Sequence, residues 1–169
     1  MTENKIKFTQ SSNLTLEIFV KRAPLFIIIT LTCVLAILFL IPIVGAIFMV
    51  MTDLLNFSLA LIVLIFWGSG FYLLRIILWN TCGKEIIIFK PDKVSYIGDY
   101  RLFKDGKIEI ENKSIEILFP LKPESNQEFS YLAIRNESEQ IKTVTKLPIE
   151  TLQEIKERIK TTPNNTYRQ

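Results

Sequence analysis

The sequence predicts a membrane α-helical hairpin joined to a water-soluble α+β module, and three observations carry that prediction. Charge is segregated along the chain: of 20 Lys and Arg and 17 Asp and Glu, only Asp53 and Arg75 fall between Ala23 and Gly83. Two long apolar runs fill that interval. Outside it, apolar residues alternate at strand spacing and then change to helical spacing over residues 152–159.

Ala23 to Thr52 is a run of 30 residues without a charge, and Leu54 to Leu74 is another of 21. About 20 apolar residues suffice to cross roughly 30 Å of hydrocarbon. The first helix is expected to begin near Pro24 and to tilt or kink at Pro42. A cleaved signal peptide fits poorly, because 22 polar or mixed residues come first and the apolar run is too long. Lys5, Lys7, Lys21 and Arg22 precede the pair, and Arg75, Lys84, Lys90 and Lys93 follow, whereas the connector around Asp53 carries no basic residue. The positive-inside rule then puts both termini in the cytoplasm and the connector outside. Trp79 and Tyr72 suit the inner interface, while Trp67 is expected to pack between the helices. Gly68 and Gly70 offer close helix approach without a GxxxG motif. With no ionisable group deep in either run, the pair reads as an anchor rather than a pore.

The soluble part begins with a strand at Glu85 to Lys90, a Pro91-Asp92 turn, and alternation through Val94 and Tyr96. Asp105-Gly106 signals a hairpin between residues 100–103 and 108–111. Ile115, Ile117 and Phe119 continue the alternation up to Pro120, and residues 122–128 form a polar loop. Phe129 to Arg135 and Gln140 to Lys146 are expected to make a last strand pair around a turn at residues 136–139. Leu152, Ile155 and Ile159 then share one helix face. Pro148 and Glu150 suit that helix's start, and Lys156, Arg158 and Lys160 its end. The apolar stripe should cover the open mouth of a curled sheet. At the N-terminus, Ile6 with Phe8 and Leu14 with Leu16 and Ile18 alternate around a turn at residues 10–13. Two strands alone are marginal in water, so this hairpin is expected to join the C-terminal sheet. The resulting division is 1–22 (β-hairpin), 23–82 (transmembrane hairpin), 83–160 (cytoplasmic module) and 161–169 (flexible tail).

Several of these residues carry a resemblance. Trp79 and Gly83 lead into Glu85-Ile86-Ile87-Ile88, Tyr100-Arg101 opens a later strand, and Ser114 to Phe119 forms a short one. Ile6-Lys7-Phe8 and Leu14-Thr15-Leu16-Glu17-Ile18 make a leading hairpin. This pattern resembles the bacterial membrane-anchored proteins with a pleckstrin-homology-like (PH-like) domain, in which a β-hairpin precedes two membrane helices. The resemblance implies a seven-stranded, bent antiparallel sheet or partial barrel capped by a C-terminal helix. It implies no active site.

The chain lacks histidine, which excludes Ser-His and Cys-His nucleophiles and His-ligated zinc. No phosphate-binding glycine loop occurs. Glu109, Glu111 and Glu116 alternate as a solvated strand face would. Cys33 and Cys82 are expected to be free thiols. From Lys84 onward there are 15 Lys and Arg against 14 Asp and Glu, which argues against a nucleic-acid partner. No catalytic residue, cofactor or metal is expected. The candidate site is the basic set Lys21, Arg22, Arg75 and Lys84, read first as topology and anchoring and second as contacts to anionic lipid. The expected function is a non-enzymatic accessory protein of the cytoplasmic membrane, embedded in the lipid bilayer and presenting its module to a protein partner. Two other classes fit the same sequence: an immunity-type protein against a toxin, and a small channel or transport subunit.

Overall fold

The computed structural model describes residues 6–10, 13–51, 57–113, 115–119 and 128–161. Lys5, the Asp53 connector, Ser114, Pro120, most of the polar loop and residues 162–169 lie outside the described residues. Lys21–Cys82 form one compact unit, and the segments before and after it together form a second.

The helical unit contains α1, Leu25–Met51, and α2, Phe57–Cys82. At about 1.5 Å per residue each is close to 40 Å long. The Pro24 carbonyl accepts hydrogen bonds from the backbone N–H of Ile27 and Ile28 at 3.0 and 3.2 Å, so the helix starts just after the proline. Pro42 lies inside α1 and is buried. The Thr30 and Thr32 hydroxyls donate to the carbonyls of Phe26 and Ile28, which satisfies them within the helix. The helices meet at Gly70, where an added Cβ would lie 2.7 Å from the Phe39 ring, whereas Gly68 faces open space. Phe39 also meets Phe71 edge-on at 5.7 Å and Trp67 at 6.2 Å. Trp67 therefore reaches the other helix but keeps 40% of its surface exposed. At the open end, the Ala23 N–H donates to the Asn80 carbonyl at 3.0 Å. Both helices are long and apolar enough to cross a membrane. Only 6% and 11% of their most apolar windows are buried, which is unlike the core helices of a soluble domain.

The second unit is α+β. Strands β1 (Ile6–Gln10), β2 (Leu14–Phe19), β3 (Lys84–Phe89), β4 (Lys93–Asp99) and β5 (Lys104–Glu111) form one five-stranded antiparallel sheet in chain order. Leu14, Leu16 and Ile18 on β2 stand opposite Phe89, Ile87 and Glu85 on β3. Val94 and Tyr96 extend this inward row on β4. The apolar members are buried because strand side chains alternate and this face meets the core. The Val20 N–H donates to the Gly83 carbonyl at 3.0 Å. The helical unit thus occupies the place of an ordinary β2–β3 turn.

The outward row of the same sheet is mixed, with Ile86, Ile88 and Ile97 beside a charged cluster on β4 and β5. Glu109 on β5 accepts from Lys107 at 2.9 Å, Lys93 at 3.0 Å and Ser95 at 3.2 Å. The bonds from Lys107 and then Lys93 bring its carboxyl down to about 2. A depressed carboxyl contributes stability above its unfolded-state value and loses it as pH falls through the folded value. Lowering pH from 5 toward 2 should therefore weaken the sheet, and Glu109→Gln should flatten that decline in thermal melts taken across the range. An unchanged pH slope in the variant would remove Glu109 from the account.

Four expectations are corrected. Asp105-Gly106 does not turn the chain: it lies inside β5, where Gly106 has φ 65° and the register shifts between Tyr96 and Gly98. A glycine at positive φ serves a bulge as well as a turn, and pairing of Asp99 with Lys104 places the turn at residues 100–103. The expected strand at residues 129–135 is split into β7 (Phe129–Ser130) and β8 (Ala133–Arg135). The expected strand at 140–146 shortens to β9 (Gln140–Lys142), with Leu147–Pro148 separate as β10. The cause is polar: Leu132 exchanges backbone bonds with the hydroxyl and N–H of Thr143, and the chain beyond turns toward Glu85. With β6 (Glu116–Leu118), the ten strands fall into sheets of five, three (β6-β8-β9) and two (β10-β7) rather than one of seven. Helix α3, Ile149–Thr161, starts just after Pro148 and buries Leu152, Ile155 and Ile159 in the common core.

Candidate functional site

The basic set divides between the two units. Lys21 and Arg22 are exposed in the segment leading to α1, and the Arg22 Nε donates to the Thr81 carbonyl at 2.9 Å. That bond places a cation on the carbonyl end of α2, where the helix dipole favours it. Arg75 is exposed on α2, six residues before Thr81. Lys84 has a different environment. Its ammonium bonds Glu17 at 2.8 Å and reaches Asp99 at 3.8 Å, so its charge is balanced across three neighbouring strands. Lys84 thus ties neighbouring strands of the sheet together, while Lys21, Arg22 and Arg75 lie in the helical unit.

Two features escaped the sequence reading. The first is Glu85, which is fully buried. Its Oε2 accepts from the Tyr96 hydroxyl at 3.0 Å and the Val144 N–H at 2.9 Å, and its Oε1 accepts from the Thr145 N–H at 2.7 Å. Burial and the adjacent Glu85 charge push the Tyr96 phenol far above its ordinary value. Thr143, also buried, accepts from the Leu132 N–H and donates to the Thr145 carbonyl, which shapes the turn that meets Glu85. A carboxylate closed to water and holding three donors is a clamp between β3 and the 143–146 turn. The available signal was parity: Glu85 shares the inward face with Ile87 and Phe89.

The second feature is a groove of about 480 Å³ between β1 and α3. Ile6 and Phe8 form its strand wall, and Thr151, Glu154, Ile155 and Arg158 form its helix wall. Arg158 pairs with Glu154 at 2.9 Å and lies 5.0 Å from the centroid of the Phe8 ring. The groove is of mixed character, with Ile6, Phe8 and Ile155 set among Lys7, Thr151, Glu154 and Arg158. β1 is the edge of the five-stranded sheet, and among the described residues its outer side pairs with no strand. An unpaired edge offers a row of backbone donors and acceptors. Alternation at Ile6 and Phe8 marked these residues as core but did not reveal that α3 stops short of closing over them. Among the described residues, no three Cys, Asp or Glu side chains converge as metal ligands.

Comparison of the chain with protein-family models, with curated proteins and with solved structures finds no match.

Proposed function

We propose that this chain is a non-enzymatic accessory protein of the cytoplasmic membrane, spanning it twice with both termini inside. In this reading its sheet unit is a PH-like module that binds an extended segment of a protein partner. The groove between β1 and α3 carries the proposal. An extended peptide laid along the β1 edge would gain main-chain hydrogen bonds there, and every second side chain would enter the groove. The Arg158–Glu154 rim supplies charge to fix its register.

Support for the membrane part comes from the exposed apolar surface of α1 and α2, such as Phe26 at 79% and Leu64 at 70%. Contiguous apolar surface of that extent needs a covering other than water. The flanking Lys21, Arg22 and Arg75 favour the cytoplasmic side for the end that carries the sheet. The PH-like assignment draws on the antiparallel meander and on the C-terminal helix whose stripe enters its core.

A photo-crosslinking residue at Thr151, in the groove, should give a discrete adduct with one protein in membranes. The same probe at Ser138, in an exposed turn, should give none. Lys7→Glu at the groove edge should alter the adduct yield. Equal labelling patterns from Thr151 and Ser138 would rule out the groove as the binding site.

A further inference from the structure

The turn joining β4 to β5 exposes an apolar pair between two cations. Leu102 is 72% and Phe103 40% exposed, and Arg101 and Lys104 flank them on the exposed surface. The turn is held firmly. Asp99 accepts from the Arg101 N–H at 2.8 Å, the Tyr100 N–H donates to the Phe103 carbonyl at 3.0 Å, and the Tyr100 and Phe103 rings stack at 4.7 Å. Arg101 has φ 73°, a conformation that disfavours any side chain and that glycine would adopt freely. Strain of this kind is retained where the surroundings over-determine it, and it concentrates at functional positions.

The sheet register gives this turn a definite address. Phe19, Lys84, Asp99 and Lys104 stand opposite one another in sequence across β2, β3, β4 and β5. That row is the end of the sheet from which the chain runs to α1 and at which it returns from α2, with only Gly83 between Cys82 and β3. Adjacent strands are about 4.8 Å apart, so the turn begins about 5 Å from the strand that follows α2 and ends roughly 10 Å from it. Side chains projecting beyond such a row, apolar at the tip and cationic beside it, match the layering of a bilayer surface. There, acyl chains accept the apolar groups and anionic headgroups accept the cations.

We infer that the Tyr100–Phe103 turn is a second lipid contact, with Leu102 and Phe103 entering the headgroup–acyl boundary and Arg101 and Lys104 meeting the headgroups. This contact rests on the reading that α1 and α2 span a bilayer. It would hold the sheet unit at the surface through a point independent of its covalent links to the helices.

The test uses the full chain in vesicles of mixed zwitterionic and anionic phospholipid, with Cys33→Ala and Cys82→Ala removing the native thiols. An environment-sensitive fluorophore is attached through Leu102→Cys, with Val34→Cys on α1 and Ser138→Cys in an exposed turn as references. The Leu102 label should emit to the blue of the Ser138 label. It should also be quenched by lipids brominated near the headgroup end of the acyl chain, while the Ser138 label is not. In that protein, Arg101→Gln with Lys104→Gln should reduce the quenching in anionic vesicles. A quenched Val34 label beside a Leu102 label that behaves like Ser138 would overturn the turn contact and leave the spanning helices intact. An unquenched Val34 label would instead overturn the spanning reading, and the turn contact with it.

Discussion

Replacing Glu85 by alanine is expected to cost the sheet unit about 3 to 5 kcal/mol, because it strands several buried donors at once. The Tyr96 hydroxyl and the Val144 and Thr145 N–H groups all end on this carboxylate. For a unit of this size, a loss of that magnitude lowers the melting temperature by about 15 to 25 °C. Tyr96→Phe removes one donor and leaves the carboxylate its two backbone bonds, so about 1 to 2 kcal/mol is expected. Glu85→Gln should fall between the two, since an amide of the same shape must direct its NH₂ at a donor. Hydrogen exchange supplies a local readout in the full chain: the Val144 and Thr145 amides should lose protection in Glu85→Ala before the β2–β3 amides do. The double variant should cost less than the sum of the single ones, as expected for groups sharing one network. A Glu85→Ala protein that melts within a degree or two of the parent would show that the clamp contributes nothing.

Removing residues 1–20 is expected to unfold the remaining sheet. Leu14, Leu16 and Ile18 are buried in the core against Phe89, Ile87 and Glu85, and Leu16 and Ile18 are fully enclosed. Truncating one such side chain typically costs about 2 to 5 kcal/mol, and a whole domain holds only about 5 to 15. Because the Val20 N–H bonds the Gly83 carbonyl, a short turn replacing residues 21–82 can join the two halves without moving either strand. The joined protein should unfold cooperatively in urea, whereas a chain starting at Gly83 should show no cooperative transition. Equal midpoints for the two would refute the conclusion that the helices interrupt one sheet.

The legible elements share a physical origin. The two apolar helices were readable because near-absence of charge over a bilayer's length is a property of composition, independent of any partner in the fold. Leu14, Leu16 and Ile18, and likewise Leu152, Ile155 and Ile159, were readable because one buried face imposes its period on the sequence. The N-terminal hairpin's place in the sheet followed from a weaker argument, the instability of two strands alone, and β2 indeed pairs along the whole of β3.

The errors arose where two local signals compete or where a residue's partner is distant in the chain. Gly106 is a permissive backbone position, and only the pairing of Asp99 with Lys104 decides that it bulges while Arg101 turns. Glu85 resembles an ordinary polar strand residue until Val144 and Thr145, some sixty positions away, deliver their N–H groups to it. That demand breaks the strand expected at residues 140–146. The ion pairing of Lys84 with Glu17 and Asp99 was likewise hidden, because both partners lie on flanking strands.

The sequence by itself determined two apolar helices, alternating strands before and after them, and an amphipathic helix at the end, because each follows from the period and length of apolar residues. Only the tertiary structure decided that Glu85 is a buried clamp, that a groove lies beside the β1 edge, and that the 100–103 turn shares its sheet end with the helix connections. Those features depend on strand register and on contacts between residues far apart in the chain, which no local pattern encodes.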